Sequence, residues 1–124
     1  MARSGARKRL GDLGERLAAE YLEAHGYRVL ARNWRCVGGE VDIVAEDASG
    51  LAFVEVKTRR GRTYGTPEEA LVPTKIRRLE TAAQAWLAAH VGDQPVDWRI
   101  DVVAVEFSPA GTLLRLELHR YALV

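Results

Sequence analysis

The chain has 124 residues and a formal net charge of +1, with 48% apolar and 28% charged residues. These values suit one soluble globular domain over residues 1–124, and no apolar run approaches the roughly 20 residues that a membrane span needs. The single cysteine, Cys36, excludes a disulfide framework, and the three histidines show no metal-ligand spacing. No apolar segment follows the basic N-terminus, so we expect a cytoplasmic protein and, if a metal binds, a hard ion held by oxygen.

Apolar periodicity predicts an α/β fold in the order αβββ, loop, αββ, with helices packed on a mixed sheet. A stripe that begins at Leu10 predicts a first helix over residues 9–25. The following elements are a strand over 27–32, a loop over 33–39, strands over 40–46 and 51–58, a short helix over 67–71, a helix over 74–90, and strands over 98–107 and 113–120.

Two neighbouring predicted strands carry charged residues within apolar sequence. Alternation places Glu40 and Asp42 on one face of the first strand, and Glu55 and Lys57 on one face of the second. A simple antiparallel register, with residue 46 opposite 51, puts Asp42 opposite Glu55. Facing carboxylates repel, and a divalent cation beside Lys57 would remove that conflict. Spacing alone leaves open an exposed ion pair of Lys57 with Glu40 or Glu55.

The segments Gly39–Ala45 and Phe53–Arg59 resemble the PD-(D/E)xK nuclease superfamily. More closely, the whole chain is similar to the YraN-type family of bacterial proteins (UPF0102), and archaeal Holliday-junction resolvases look like more distant relatives. The closer match also rests on Gly14-Glu15, Ala19-Glu20-Tyr21-Leu22, Arg32-Asn33-Trp34-Arg35, Tyr64-Gly65, Lys75 and Arg99-Ile100-Asp101-Val102-Val103. The resemblance implies a restriction-endonuclease-like core and Mg²⁺- or Mn²⁺-dependent hydrolysis of phosphodiester bonds in DNA, including branched or structured DNA.

The resemblance also implies roles for individual residues. Asp42 and Glu55 are expected to be metal ligands and catalytic residues, with Lys57 as the catalytic lysine. The superfamily often adds a glutamate from the first helix. Here the resemblance to the resolvases implies Glu15, which lies as far before His25-Gly26 as their glutamate lies before a similar pair, and Glu20 is the alternative.

Basic residues near these strands suggest a nucleic-acid partner. We expect Arg35, Arg59, Arg60 and Lys75 to contact phosphates, with a solvated surface as the alternative. Arg62 belongs to the same basic run.

Aromatic and acidic residues elsewhere have competing interpretations. Trp34 and Tyr64, in predicted loops, suit either base stacking or attachment to the core. Trp86 is expected in the core, and Asp101 is expected to pair with Arg99 rather than bind metal.

Two other classes of function stay open: a nucleic-acid-binding module of the same fold without significant cleavage, and a protein-interaction subunit. No membrane partner is expected. A homodimer would let a domain with one active site cut two strands.

Overall fold

The computed structural model describes residues 2–120, with side chains from residue 5 onward. Its elements follow the predicted order. They are α1 (Ala2–Ala24), β1 (Arg28–Cys36), β2 (Gly39–Asp47), β3 (Gly50–Arg60), a 3-10 turn (Glu68–Ala70), α2 (Pro73–His90), β4 (Trp98–Phe107) and β5 (Leu113–His119). Among the described residues, no helix is long and apolar enough to cross a membrane.

The strand β3 is at the centre of a five-stranded mixed sheet with the order β1-β2-β3-β4-β5. The first three strands are antiparallel neighbours, β3 and β4 run parallel, and β5 is antiparallel to β4. Parallel neighbours need a crossover connection, which the segment containing α2 supplies. The predicted α/β class and mixed sheet are therefore confirmed.

The two long helices cover opposite faces of this sheet. Leu22 of α1 packs in one apolar cluster with Val54 of β3, and Trp86 of α2 packs in the other with Phe53. Trp86 is 6% exposed, which confirms its predicted place in the core. The strand β4 is buried at every position after its first, as expected for a strand covered on both faces.

The predicted loop over residues 33–39 is wrong, because β1 continues to Cys36 and only a tight turn separates it from β2. Asn33 has a φ of +52°, a left-handed conformation that asparagine tolerates better than most residues. Pairing continues beyond it with Trp34 opposite Val41. Trp34 packs against the α2-side core, so attachment to the core is the correct interpretation of this residue.

The helix α1 begins well before its predicted start at residue 9. Apolar periodicity detects only the part of a helix that packs on the sheet. The earlier turns contain alanine, arginine and lysine, which favour helix, and Lys8 Nζ lies 3.0 Å from Asp12 in an i,i+4 pair. The basic first turns are therefore helical although they lack an apolar stripe.

A buried polar network occupies the end of the sheet where β3 and β4 begin. Arg99 Nε lies 3.2 Å from the Asp101 carboxylate, which confirms the predicted local ion pair. Arg99 also donates to the Tyr27 hydroxyl at 2.9 Å and to Asp47 Oδ2 at 3.1 Å. These partners compensate the buried charges and suit a structural role.

Candidate active site

The candidate site begins where the pairing of β2 with β3 ends. The register follows the predicted pairing of Glu46 with Leu51 and is continuous to Ile43 opposite Val54. Asp42 is the residue immediately before Ile43 in β2. Its Oδ2 accepts a hydrogen bond of 2.8 Å from the Val56 backbone N–H. The Asp42 carboxylate is thereby fixed at the edge of the central strand.

The Asp42 and Glu55 carboxyl groups line the same cleft. Burial, followed by the negative charge of the nearby Glu55, raises the pKa of Asp42 to about 8. The Val56 N–H opposes this shift only in part. A buried carboxyl group whose pKa is raised beside a second carboxylate forms a site that a cation would stabilise, because a bound cation favours the charged forms.

Lys57 lies next to this pair. Its Nζ is 2.8 Å from Glu55 Oε2, and the two side chains are only 15% and 13% exposed. The alternative prediction of an exposed ion pair is therefore right about the partner of Lys57, which is Glu55, but wrong about the exposure of the pair. An ion pair this sheltered is screened less by solvent and salt than a surface pair.

Glu15 of α1 lines the same cleft, whereas Glu20 is exposed on the helix. Burial raises the pKa of Glu15, and the Arg32 guanidinium opposes the shift. Arg32 Nη2 lies 3.8 Å from Glu15 Oε1, and the nearby Asn33 side chain also acts to lower the pKa of Glu15. Of the two glutamates considered from sequence, the structure brings Glu15 to Asp42 and Glu55.

Two glycines allow the helices to approach the site closely. A Cβ atom on Gly14 would lie 2.0 Å from Thr58 Oγ1 of β3, so α1 needs glycine beside Glu15. A Cβ atom on Gly39 would lie 2.3 Å from the backbone oxygen of Arg78, so α2 needs glycine at the start of β2. The isolated glycine in the apolar pattern of the first helix was the available signal for the first contact.

The candidate site lies in an open cleft of about 530 Å³. It is lined by residues of α1, β2, β3, the loop after β3 and α2: Arg7, Leu10, Gly11, Glu15, Glu40, Asp42, Glu55, Val56, Lys57, Thr58, Arg59, Arg60, Tyr64 and Lys75. A neighbouring groove of about 410 Å³ shares Glu55, Lys57 and Lys75 and continues along the start of α2. Arg7 belongs to this lining although sequence analysis did not single it out.

Three of the four predicted phosphate contacts line the cleft. Arg59 is half-buried there, and its Nε has no hydrogen-bond partner among the described residues. Arg60 donates from Nε to the Pro109 carbonyl at 2.9 Å. The positive charge of Lys57, and then burial, lower the pKa of Lys75. Arg35 lies outside the cleft lining, 76% exposed, with its Nε 3.3 Å from Glu40.

A second charged cluster joins the loop after β3 to β4 and β5. Arg115 lies between Glu68, at 2.6 Å, and Glu106, at 3.1 Å, and holds the pKa of Glu68 at about 2. His119 Nε2 is 3.0 Å from Glu68 Oε2, so the fold gives this histidine an acidic neighbour that sequence spacing did not reveal. Arg62, which sequence analysis placed with the basic run, donates to Glu106 at 2.6 Å.

Together, the sheet order, the flanking helices and the Asp42, Glu55 and Lys57 cleft define an α/β protein with a restriction-endonuclease-like core. A family model described as uncharacterised protein family UPF0102 matches residues 14–105. The chain belongs to this family.

Relatives from several bacteria match most of the chain. A UPF0102 protein of Symbiobacterium thermophilum is 53% identical over 106 residues, covering 86% of this chain and 89% of the relative. The UPF0102 protein of Roseiflexus castenholzii is 48% identical and covers 96% of both chains. That of Geobacter sulfurreducens is 54% identical, covering 79% of this chain and 76% of the relative.

Proposed function

We propose that the protein is a metal-dependent nuclease that hydrolyses phosphodiester bonds in DNA, including branched or structured DNA. The observation that carries this proposal is the convergence of Asp42, Glu55 and Lys57 in one cleft, where burial and the negative charge of Glu55 raise the pKa of Asp42. Oxygen ligands of this kind fit Mg²⁺ or Mn²⁺, which take two or so carboxylates and leave other positions to water and substrate.

Asp42 and Glu55 would hold the ion, and Glu15 adds a third carboxylate to the same space. When bound, Mg²⁺ polarises a phosphate oxygen and offsets charge that develops at phosphorus. Lys57 Nζ, which lies 2.8 Å from Glu55 Oε2, would orient the attacking water by hydrogen bonding and stabilise the developing negative charge. Hydrolysis breaks the P–O bond to one nucleoside oxygen, and water supplies the new oxygen on phosphorus.

Arg59, Arg60 and Lys75 are proposed to contact the phosphates on either side of the scissile bond. The Arg59 Nε supports this role, because a buried donor without an acceptor is costly and a phosphate oxygen would satisfy it. Arg35 would contact DNA outside the cleft, after exchange of its exposed pairing with Glu40. Exposed ion pairs contribute little stability, so this exchange is inexpensive.

The test is incubation of the protein with Mg²⁺ or Mn²⁺ and labelled linear, flap and four-way-junction DNAs. We expect EDTA to abolish cleavage, and Asp42→Asn and Lys57→Ala to reduce it by about 100-fold or more. Glu20→Gln is the matched control, because Glu20 is an exposed acid on α1 and should leave cleavage unchanged.

Wild-type rates in Asp42→Asn and Lys57→Ala would refute the proposed site. Binding of these DNAs without cleavage of any would favour the second candidate, a nucleic-acid-binding module. The sheltered Asp42, Glu55 and Lys57 set argues for the enzyme, because binding alone needs no pair of opposed carboxylates.

A further inference from the structure

Tyr64 has an environment unlike that of the core aromatic residues. Its side chain lines the cleft and yet is 81% exposed, whereas Trp86 is 6% and Phe53 0% exposed. An aromatic residue that served only to attach a loop would bury its ring in the core. Tyr64 instead lines the same cleft as Asp42 and Lys57 while staying exposed.

The loop that carries Tyr64 is held on both sides without help from the ring. Before it, Arg62 donates to Glu106 at 2.6 and 3.0 Å. After it, the Thr66 backbone N–H and hydroxyl both donate to Glu69 Oε1 at 2.9 Å. Because these bonds fix the loop, the backbone at Tyr64 loses little conformational freedom when a ligand covers its ring.

The surroundings of the ring define the ligand chemistry. Arg60 and Lys75 line the same cleft and can neutralise phosphates, while the tyrosine offers a flat apolar surface. An aromatic face flanked by cations suits a nucleotide whose base stacks and whose phosphate pairs. Within a continuous duplex both faces of each base are covered by neighbouring bases, so the ring can stack only on a base that has left the duplex.

We propose that Tyr64 stacks on an unpaired base next to the phosphodiester in the cleft, and so selects nucleic acids with unpaired nucleotides at the cutting site. This inference rests on the proposed nuclease function and names its substrate class: single strands, flaps and splayed ends rather than continuous duplex.

The test measures binding in an Asp42→Asn background with Mg²⁺, where the proposed cleavage is blocked. Oligonucleotides carry 2-aminopurine in a single strand, at a splayed fork or inside a continuous duplex. Tyr64→Leu, which keeps apolar bulk but removes the ring, should weaken binding of the first two by about 5- to 100-fold and duplex binding by less than about twofold. Tyr64→Phe should bind like the parent and quench 2-aminopurine fluorescence equally.

Val96→Ala is the control for loss of exposed apolar surface. Val96 is 38% exposed and precedes β4, whose first residue pairs with the beginning of β3, away from the cleft. This variant should change neither binding nor quenching. Equal loss on all three oligonucleotides in Tyr64→Leu, or quenching that persists in that variant, would overturn the stacking role.

Failure of the proposed function gives a different result. Wild-type protein that cleaves none of the DNAs would refute the nuclease, while the binding and fluorescence differences between Tyr64→Leu and Tyr64→Phe would still report stacking. Cleavage that prefers continuous duplex in both wild type and Tyr64→Leu would retain the nuclease and overturn the substrate class.

Discussion

Asp42→Asn is expected to stabilise the protein in EDTA. Folding raises the pKa of Asp42 from 3.8 to about 8, chiefly through burial and then the charge of Glu55. Between these pH values the folded protein holds a proton that the unfolded chain has lost. The free energy of unfolding therefore falls as pH rises from about 4 to about 8. Asparagine carries no charge, and its side-chain oxygen can still accept the Val56 N–H.

The size of the effect follows from the shift. Each pKa unit corresponds to about 1.4 kcal/mol, so the full shift sets an upper limit of roughly 6 kcal/mol above pH 8. Structural relaxation and water entry reduce the cost of a charge that is not completely buried. We expect Asp42→Asn to gain about 1–3 kcal/mol at pH 8, or roughly 3–6 °C in Tm for each kcal/mol.

The assay is urea unfolding of both proteins in EDTA at several pH values between 5 and 8.5. The difference in the free energy of unfolding between the two proteins should widen as pH rises. Titratable groups that both proteins share contribute equally to each and cancel in this difference. Mg²⁺ should then stabilise the wild type alone and narrow the difference. The exposed Glu20→Gln serves as the control. If Asp42→Asn were less stable than wild type at pH 8 in EDTA, the electrostatic reasoning would be wrong.

Two further variants test the close contact of α1 with β3 and the second charged cluster around Arg115. Gly14→Ala should lower the free energy of unfolding by about 1–3 kcal/mol in urea titrations, because its Cβ would meet Thr58 Oγ1 at 2.0 Å. Adding Thr58→Ala should recover part of this loss, and strictly additive effects would contradict direct contact. Arg115→Met should cost about 1–3 kcal/mol at pH 7 in the same assay, since Glu68 and its neighbours lose their cation. The pKa of Glu68 is lowered to about 2, so its contribution is present above pH 4.5 and is lost as pH falls toward 2. Arg28→Met, which removes an exposed ion pair, should leave the free energy of unfolding nearly unchanged. A loss as large as that of Arg115→Met would refute the difference expected between sheltered and exposed ion pairs.

Local patterns predicted the register between β2 and β3 correctly as far as Ile43 opposite Val54. Alternation along two strands and a short turn were enough to place Glu46 opposite Leu51, and so to bring Asp42 near Glu55. Strand geometry has a fixed period, and a short turn between antiparallel strands limits the register. The end of the β2–β3 pairing at Ile43 was not predictable from the sequence. It depends on the Asp42 side chain, which accepts a hydrogen bond from the Val56 N–H in place of a backbone carbonyl.

Contacts between distant segments were harder to foresee. The contacts of Arg115 with Glu68 and of Glu68 with His119 form only because the segment after β3 lies next to β5. No local sequence pattern predicts contacts between segments so far apart in the chain. Asn33 was misleading for a local reason. Its polar side chain and left-handed backbone are typical of loops, yet in β1 they interrupt a strand without ending it.

The position of the site within the sheet explains how it can hold opposed carboxylates. Glu55 and Lys57 follow directly on Leu51–Val54, a fully buried part of the central strand, so the strand beneath them is fixed by packing on both faces. Gly14 lets α1 pack closely on that strand, and Gly39 lets α2 pack closely on β2. A flexible segment would relieve the repulsion between Asp42 and Glu55 by moving the side chains apart. In this sheet such movement would disturb the core, so the carboxylates stay together, and the proposed metal ion would relieve their repulsion at less cost.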